Sequence, residues 1–405
     1  MTTAPQTVPE FLQLSTAERD RRWQAVRAGM DRVGVDCLLL SGNSGRWNEM
    51  LANVRYVSGY ADNLSGIGYA IFPRDGDGTL ITQMHTKRSA YAMSWFSDIR
   101  GLATKQVVDI LRERLSALGL ERGTLGLVGI TFRNDEVIGL PWNTYAAIQQ
   151  ALPDLKLVDA SDLFYELRSV KSHEEIACLE QSARVVDIGY RAHLEIARPG
   201  VSEREVYTGV VQAMDRAGAE PPSFLLLSSG PMPGPLQGGD PIPSNRILEP
   251  GDVICSETSP KWLGYQAQGL QAIAIGEPTR ELRELARFGA EVYLTCAEQL
   301  RPSHTLEQVI HAADHVIERA RAVVGDLADG LRPICSGAGL GGPDPAPRPA
   351  ELQANQAFML EIGPGGRSYE LAQHVYGGYC IVTTDGAPRH LGGIPIEQML
   401  LTSVG

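Results

Sequence analysis

The chain has 405 residues, 43% hydrophobic and 21% charged, with a net charge of −12. That balance argues against nucleic acid and anionic membrane surfaces as partners, and no apolar run approaches the roughly 18 residues of a membrane-spanning helix. The N-terminus MTTAPQTVPEFLQL lacks the basic start and apolar core of a secretory signal, and six scattered cysteines form no Cys-x-x-Cys pair, so free thiols in the cytoplasm are the expectation.

The first half alternates helix and strand signals. Ser15-x-x-Glu18 is a capping box, and Trp23, Val26, Met30 and Val33 follow at helical spacing before Gly34. "DCLLLSG" reads as a buried strand, and "VRYVSGY", "GYAIFP" and "TLITQ" read as further strands. "KQVVDILRERLSALG" is an amphipathic helix, "GTLGLVGI" a strand, and "PWNTYAAIQQAL" a short helix opened by proline. The alternation predicts an α/β layer domain with a mostly parallel or mixed sheet over residues 1–168.

A boundary falls near "ELRSVKSHEE". Ser172-x-x-Glu175 caps a long helix with Ile176, Leu179, Ala183, Val186, Tyr190 and Leu194 along one side. Ser202 and Glu205 form a third box. "TRELRELARFGAEVYLTCAEQL" and "TLEQVIHAADHVIERARAVVG" each read as one helix, and strands occupy "DVICSET", "LQAIAIG", "AFMLEIG" and "GYCIVTT". Residues 169–405 are therefore α+β, with helices over one face of a largely antiparallel sheet. "RPG" at Arg198–Gly200 and "RPS" at Arg301–Ser303 mark a weak internal repeat, which would place a cleft between two similar halves.

"LRSVKSHEEIACLEQSARVVDIG", "NRILEPGDVI", Gly264–Tyr265, "IGEPT", "LEIGPG" and "VTTDGAPRHL" occur in an order and spacing that resembles the creatinase / aminopeptidase P / methionine aminopeptidase family, the pita-bread fold. "RYVSGY" is similar to the small N-terminal domain of its two-domain members. The resemblance implies a pita-bread C-terminal domain behind a smaller creatinase-type α/β domain, and a homodimer. The family's metallopeptidases hold metal with two Asp, one His and two Glu. Carried over, those slots fall on Glu257 and Gln268, on or beside Ser336, on Glu361 and near Gly377, and an upstream substrate-binding or proton-shuttling histidine falls near Asp240. Bridging carboxylates neutralise the repulsion between two dications; an amide, a hydroxyl and a glycine cannot. No catalytic metal and no other cofactor is the expectation.

Creatinase and the ectoine hydrolase branch, which this chain resembles in its depleted ligand set, hydrolyse small C–N compounds without metal. On that model Glu257 and Glu361 face each other as a pair that cannot cheaply ionise together. Such a pair clamps a cationic group, or supplies an acid and a base for water attack. Asp240 is a third catalytic candidate, as general base. Gln268, Ser336, His374 and Tyr265 are candidates for binding a small polar, cationic substrate. Creatinase's acidic side chain two places past the second slot is Leu270 here, and its substrate-binding arginine matches Ile67, so the substrate differs. The leading expectation is a metal-independent hydrolase of a non-peptide C–N bond. The alternatives are a lyase, cyclase or isomerase using the same pocket, an Xaa-Pro-type peptidase with an atypical metal site, and a non-catalytic binding protein.

Other motifs have plainer readings. His311 and His315 have metal-like spacing, but they lie opposite the apolar face marked by Val309, Ala313, Val316 and Ala320, so a solvated face is expected. "GAGLGG" precedes a proline-crowded stretch that no helix can follow, which excludes a phosphate loop. Cys255 and Cys335 read as small hydrophobes rather than nucleophiles. Arg46 and Trp47 are candidates to reach a partner's site.

Overall fold

Ser15, Ser172 and Ser202 decide where long helices begin. Each takes an extended backbone and accepts a hydrogen bond from the backbone N–H three residues on, at Glu18, Glu175 and Glu205. The computed structural model describes residues 11–42, 49–63, 66–83, 87–102, 105–131, 139–231, 241–341, 351–363, 379–395 and 400–402. The chain divides into two compact units, Met1–Arg168 with Leu340–Pro345, and Ser169–Gly339 with Ala346–Gly405.

The first unit runs α1 (Thr16–Val33), β1 (Cys37–Ser41), α2 (Ala52–Ser58), β2 (Gly68–Pro73), β3 (Thr79–Thr82), α3 (Lys87–Met93), β4 (Asp98–Gly101), α4 (Val107–Leu118), β5 (Thr124–Val128), α5 (Trp142–Ala151), β6 (Lys156–Asp159) and α6 (Ser161–Ser169). Its sheet has the order β4-β3-β2-β1-β5-β6. The β1–β5, β5–β6 and β3–β4 pairs are parallel and the β1–β2 and β2–β3 pairs antiparallel, so the sheet is mixed. One core gathers Leu39, Ile71, Ile81, Leu111, Leu125 and Leu127 from its strands and α4. "VRYVSGY", expected as a strand, is helix α2. Its residues are buried on every side, which removes the periodicity that separates helix from strand, and Gly59 at φ 74° closes it.

The second unit opens with α7 (His173–Ile196), α8 (Glu203–Arg216), β7 (Phe224–Pro231) and β8 (Asp252–Ser259). A hairpin follows in β9 (Lys261–Trp262) and β10 (Tyr265–Gln266), then β11 (Gly269–Leu270) and β12 (Ile273–Ile275). After α9 (Arg280–Ala297) come α10 (Leu306–His311) and α11 (Asp314–Val324), where one helix was expected; the break is at Ala312 and Ala313. The described strands end with β13 (Pro333–Gly337), β14 (Ala357–Ile362), β15 (Tyr379–Val382), β16 (Arg389–His390) and β17 (Leu400–Thr402). β13, β14, β15 and β11 lie side by side, followed by β8, with β7 on its far edge. β11 and β12 run end to end along β8, and β17 joins β12 as a parallel edge. The sheet is otherwise antiparallel, as the sequence predicts. Among the described residues no helix is long and apolar enough to cross a membrane.

Candidate active site

Strand register places the site. Leu360 pairs with Tyr379, Tyr379 with Gly269, and Gly269 with Thr258. One step along that row stand Glu361 on β14 and Glu257 on β8, with β15 and β11 between them. Residues opposite one another across antiparallel strands share a face. Thr258 points at the helices, where a Cβ added to Gly189 of α7 would lie 2.9 Å from its Cγ2. Glu257 and Glu361 therefore rise on the opposite face. Three strand spacings of about 4.8 Å separate their Cα atoms by about 14 Å in a flat sheet, which leaves room for a substrate group between the carboxyls.

Both glutamates are half-buried. Burial and the charge of Glu257 push Glu361 up to about 8. Burial also raises Glu257, against a hydrogen bond from Gln268 that lowers it. Gln268 Nε2 donates to Glu257 Oε2 at 2.9 Å. The pairing of Leu270 with Glu257 makes that contact a diagonal one on the open face. Gln268 is only 3% exposed, and among the described residues its Oε1 has no hydrogen-bond partner. Ser336 pairs with Met359, two residues from Glu361 on β14, so it stands diagonally from Glu361 on the same face.

The base of β8 is pinned firmly. Arg246 Nη1 and Nη2 donate to Asp252 Oδ2 and Oδ1 at 2.6 and 2.9 Å, and the Glu249 N–H donates to Oδ2 at 2.7 Å. On the neighbouring strand, the backbone and hydroxyl of Ser229 both donate to the buried Glu203.

Of the expected site residues, Glu257, Glu361, Gln268 and Ser336 share the open face. Tyr265 does not join them. It is buried in the hairpin and its hydroxyl donates to Glu175 Oε1 at 2.6 Å, which ties β10 to the first turn of α7. Its role is structural, and the expectation that it binds substrate is corrected. Asp240 and His374 lie outside the described residues, as do Arg46 and Trp47. Cys335 and Cys255 are poor nucleophiles: burial raises both thiols, Cys255 to about 12, and Cys335 further still with help from Glu361. His311 and His315 sit on an exposed face, where His311 Nδ1 meets Asp314 Oδ2 at 3.1 Å.

Tyr190 is a neighbour that sequence reasoning passed over. It reads there as one more member of the apolar stripe of α7. In the structure its fully buried hydroxyl donates to Gly269 O at 2.8 Å and accepts from Gln271 N at 2.8 Å, directly behind Gln268. No sequence pattern marks that contact.

The five slots that hold two metal ions in the resembled metallopeptidases supply here two carboxylates, one amide, one hydroxyl and a glycine. That set lacks an imidazole and most of the negative charge that two dications require. Among the described residues no group of three or more His, Cys, Asp or Glu side chains could hold a metal ion. The described residues do not fit a dinuclear centre.

Comparison with known proteins agrees on the fold. Residues 177–403 match the model of metallopeptidase family M24, and residues 22–170 match the creatinase/prolidase N-terminal domain. An uncharacterized peptidase, YqhT of Bacillus subtilis, is 23% identical over 274 residues, 68% of this chain and 70% of its own. An Xaa-Pro dipeptidase of Pyrococcus horikoshii is 23% identical over 292 residues, 71% of this chain and 74% of its own. The solved Xaa-Pro dipeptidase from Bacillus anthracis superposes with a TM-score of 0.73 at 21% identity, covering 95% of this chain and 99% of its own. These findings correct the expected reaction. The relatives whose names state an activity are peptidases, among them Xaa-Pro dipeptidases, prolidases and an X-Pro aminopeptidase, so a metal-independent hydrolase of a non-peptide C–N bond is overturned as the leading reading.

Proposed function

We propose that this chain, which belongs to metallopeptidase family M24, hydrolyses peptide bonds, with short Xaa-Pro peptides as its substrate class. The observation that carries the reading is the Glu257–Glu361 pair on the open face of the sheet, in which Glu361 keeps its proton up to about pH 8. The activities named for the relatives support the choice of peptides.

The chemistry follows from the pair. Near neutral pH the protonated Glu361 is the acid and Glu257 the base. Water attacks the scissile carbonyl carbon as Glu257 takes its proton. The C–N bond breaks as Glu361 gives its proton to the departing nitrogen. Glu257 ends with a proton and Glu361 without one, so the pair still carries one proton between them. Gln268 Nε2 holds the Glu257 carboxylate in place. Ser336 lines the same face beside Glu361.

The test is release of free proline from a panel of Xaa-Pro dipeptides, with and without added manganese. Turnover by the wild-type chain, lost in both Glu257→Gln and Glu361→Gln, is the expected result. A folded wild-type protein that releases no proline from any peptide under either condition would sink the reading.

A further inference from the structure

We propose that Arg332 and Ile334, neighbours on the open face of the sheet, form the subsite for the residue that carries the departing nitrogen: Ile334 packs against its side chain and Arg332 takes its free carboxylate. The inference rests on the reading of Glu361 as the acid. It narrows the substrate class to dipeptides, whose second residue ends in a carboxylate.

Strand pairing places both residues. Gly363 N–H donates to Arg332 O at 3.1 Å, and Ala338 N–H donates to Ala357 O at 2.8 Å. Between those two hydrogen-bonded pairs the register sets Ile334 opposite Glu361 and Ser336 opposite Met359. Bonded and non-bonded pairs alternate along an antiparallel ladder, so Ile334 and Glu361 are themselves a bonded pair, with Cα atoms about 5.5 Å apart and side chains on one face. Arg332 stands two residues before Ile334 with an extended backbone, φ −72° and ψ 130°, and so returns to that face. β13 lies beyond β14 in the order β13-β14-β15-β11-β8. Both residues therefore stand on the side of Glu361 away from Glu257.

Their exposure singles them out. Ile334 is 37% exposed, although it pairs with a glutamate that is itself half-buried. An apolar side chain open to water beside a few polar groups is the ordinary lining of a substrate pocket. Arg332 is exposed, and among the described residues no hydrogen bond or ion pair engages its guanidinium. In a chain with 48 acidic side chains and a net charge of −12, such an arginine is open to a carboxylate from outside, which its planar fork binds through two N–H groups.

The chemistry sets the direction. Glu361 gives its proton to the departing nitrogen, so the atoms bonded to that nitrogen lie at Glu361 and beyond it, over β13. In an Xaa-Pro dipeptide these are the apolar pyrrolidine ring and, one carbon away from the nitrogen, the terminal carboxylate. Ring and anion match Ile334 and Arg332 in turn. In a longer peptide the same carbon bears an amide, which offers Arg332 no charge.

Binding tests this without turnover. Isothermal titration calorimetry on Glu361→Gln compares Ala-Pro, Ala-Pro amide and Ala-Gly. Ala-Pro is expected to bind about tenfold more tightly than its amide. Adding Arg332→Gln should weaken Ala-Pro by about that factor and leave the amide unchanged. Adding Ile334→Ser should weaken Ala-Pro and its amide alike and spare Ala-Gly. Equal binding of Ala-Pro and its amide, or a preference that survives Arg332→Gln, would overturn the proposal while leaving the peptidase reading in place; the first of these comparisons needs no variant at Arg332. Equal losses for Ala-Gly and Ala-Pro in Ile334→Ser would overturn the apolar contact. A folded protein that binds none of the three would sink the reading of the site and this inference with it.

Discussion

Glu257 and Glu361 stand in one row of the second unit's sheet with two strands between them, and burial together with the charge of Glu257 keeps the proton on Glu361 to about pH 8. Two like groups in unlike surroundings divide the labour of acid and base. Every expectation about the reaction returns to that division.

Stability should carry its signature. The carboxyl of Glu361 binds its proton more tightly in the folded chain, at about 8, than at its ordinary value of 4.5. Between those values the folded state holds more protons than the unfolded one, so stability falls as pH rises through the window. Glu361→Gln should flatten that slope and, at pH 8, melt about 2–4 °C above the wild type. Thermal melts at pH 5 and pH 8 on both proteins check this; equal slopes would count against a raised Glu361.

Turnover should have a basic limb. Above about pH 8 the acid is lost, so kcat/KM on a cleaved Xaa-Pro peptide should fall tenfold per further unit. Glu361→Gln should lower kcat by roughly 10²–10⁴ at neutral pH. A pH–rate profile recorded on the wild type and the variant reads both effects.

Gln268→Ala removes the 2.9 Å hydrogen bond from Nε2 to Glu257 Oε2 and the buried Oε1. Losing a hydrogen bond to a charged group is worth roughly 1.5–3 kcal/mol, so kcat/KM should drop by about tenfold or more. The melting temperature should fall as well, because Gln268 is 3% exposed and its truncation leaves a buried gap beside Glu257. Steady-state kinetics beside a melting curve separate the two quantities.

The donor set predicts a metal stoichiometry. Two carboxylates and an amide cannot neutralise a pair of dications, so fewer than two ions per chain are expected after dialysis against manganese or cobalt. Elemental mass spectrometry reads the number directly. Two tightly held ions would mean that residues outside the described set complete a dinuclear site.

At the start of β8, Arg246→Ala would leave the Asp252 carboxylate, 3% exposed, without its charged partner. Removing one member of a buried pair costs about 3–5 kcal/mol. Because Arg246 itself reaches solvent and Glu249 N–H remains, about 2 kcal/mol is expected. Urea unfolding measures it.

Much of the fold is legible because its signals are local. The Ser172/Glu175 and Ser202/Glu205 boxes, the apolar stripe of α7 and the run DVICSET each name an element within a few residues. α2 was misread because an element buried all round shows neither period. The strands β4 and β6 are short and half exposed, and went unmarked. Glu257, Gln268, Ser336 and Glu361 were reached through family spacing, and the register gathers them on one face. Tyr265 was misplaced because nothing in sequence says that Glu175, 90 residues away, receives its hydroxyl. The place of Tyr190 behind Gln268 is likewise set by chain crossing, which no neighbouring residue encodes. The reaction is not legible in the depleted ligand set alone; the activities named for the relatives are peptidases.

The order of the strands also fixes when the site can come into being. β15 lies between β14 and β11 but leaves the ribosome after both, and β17, which borders β12, emerges later still. A nascent chain halted before Tyr379 already contains Glu257, Gln268 and Glu361, but not the strand that pairs with both β14 and β11. The row that sets the two carboxylates on one face is completed only once Tyr379–Val382 has been made.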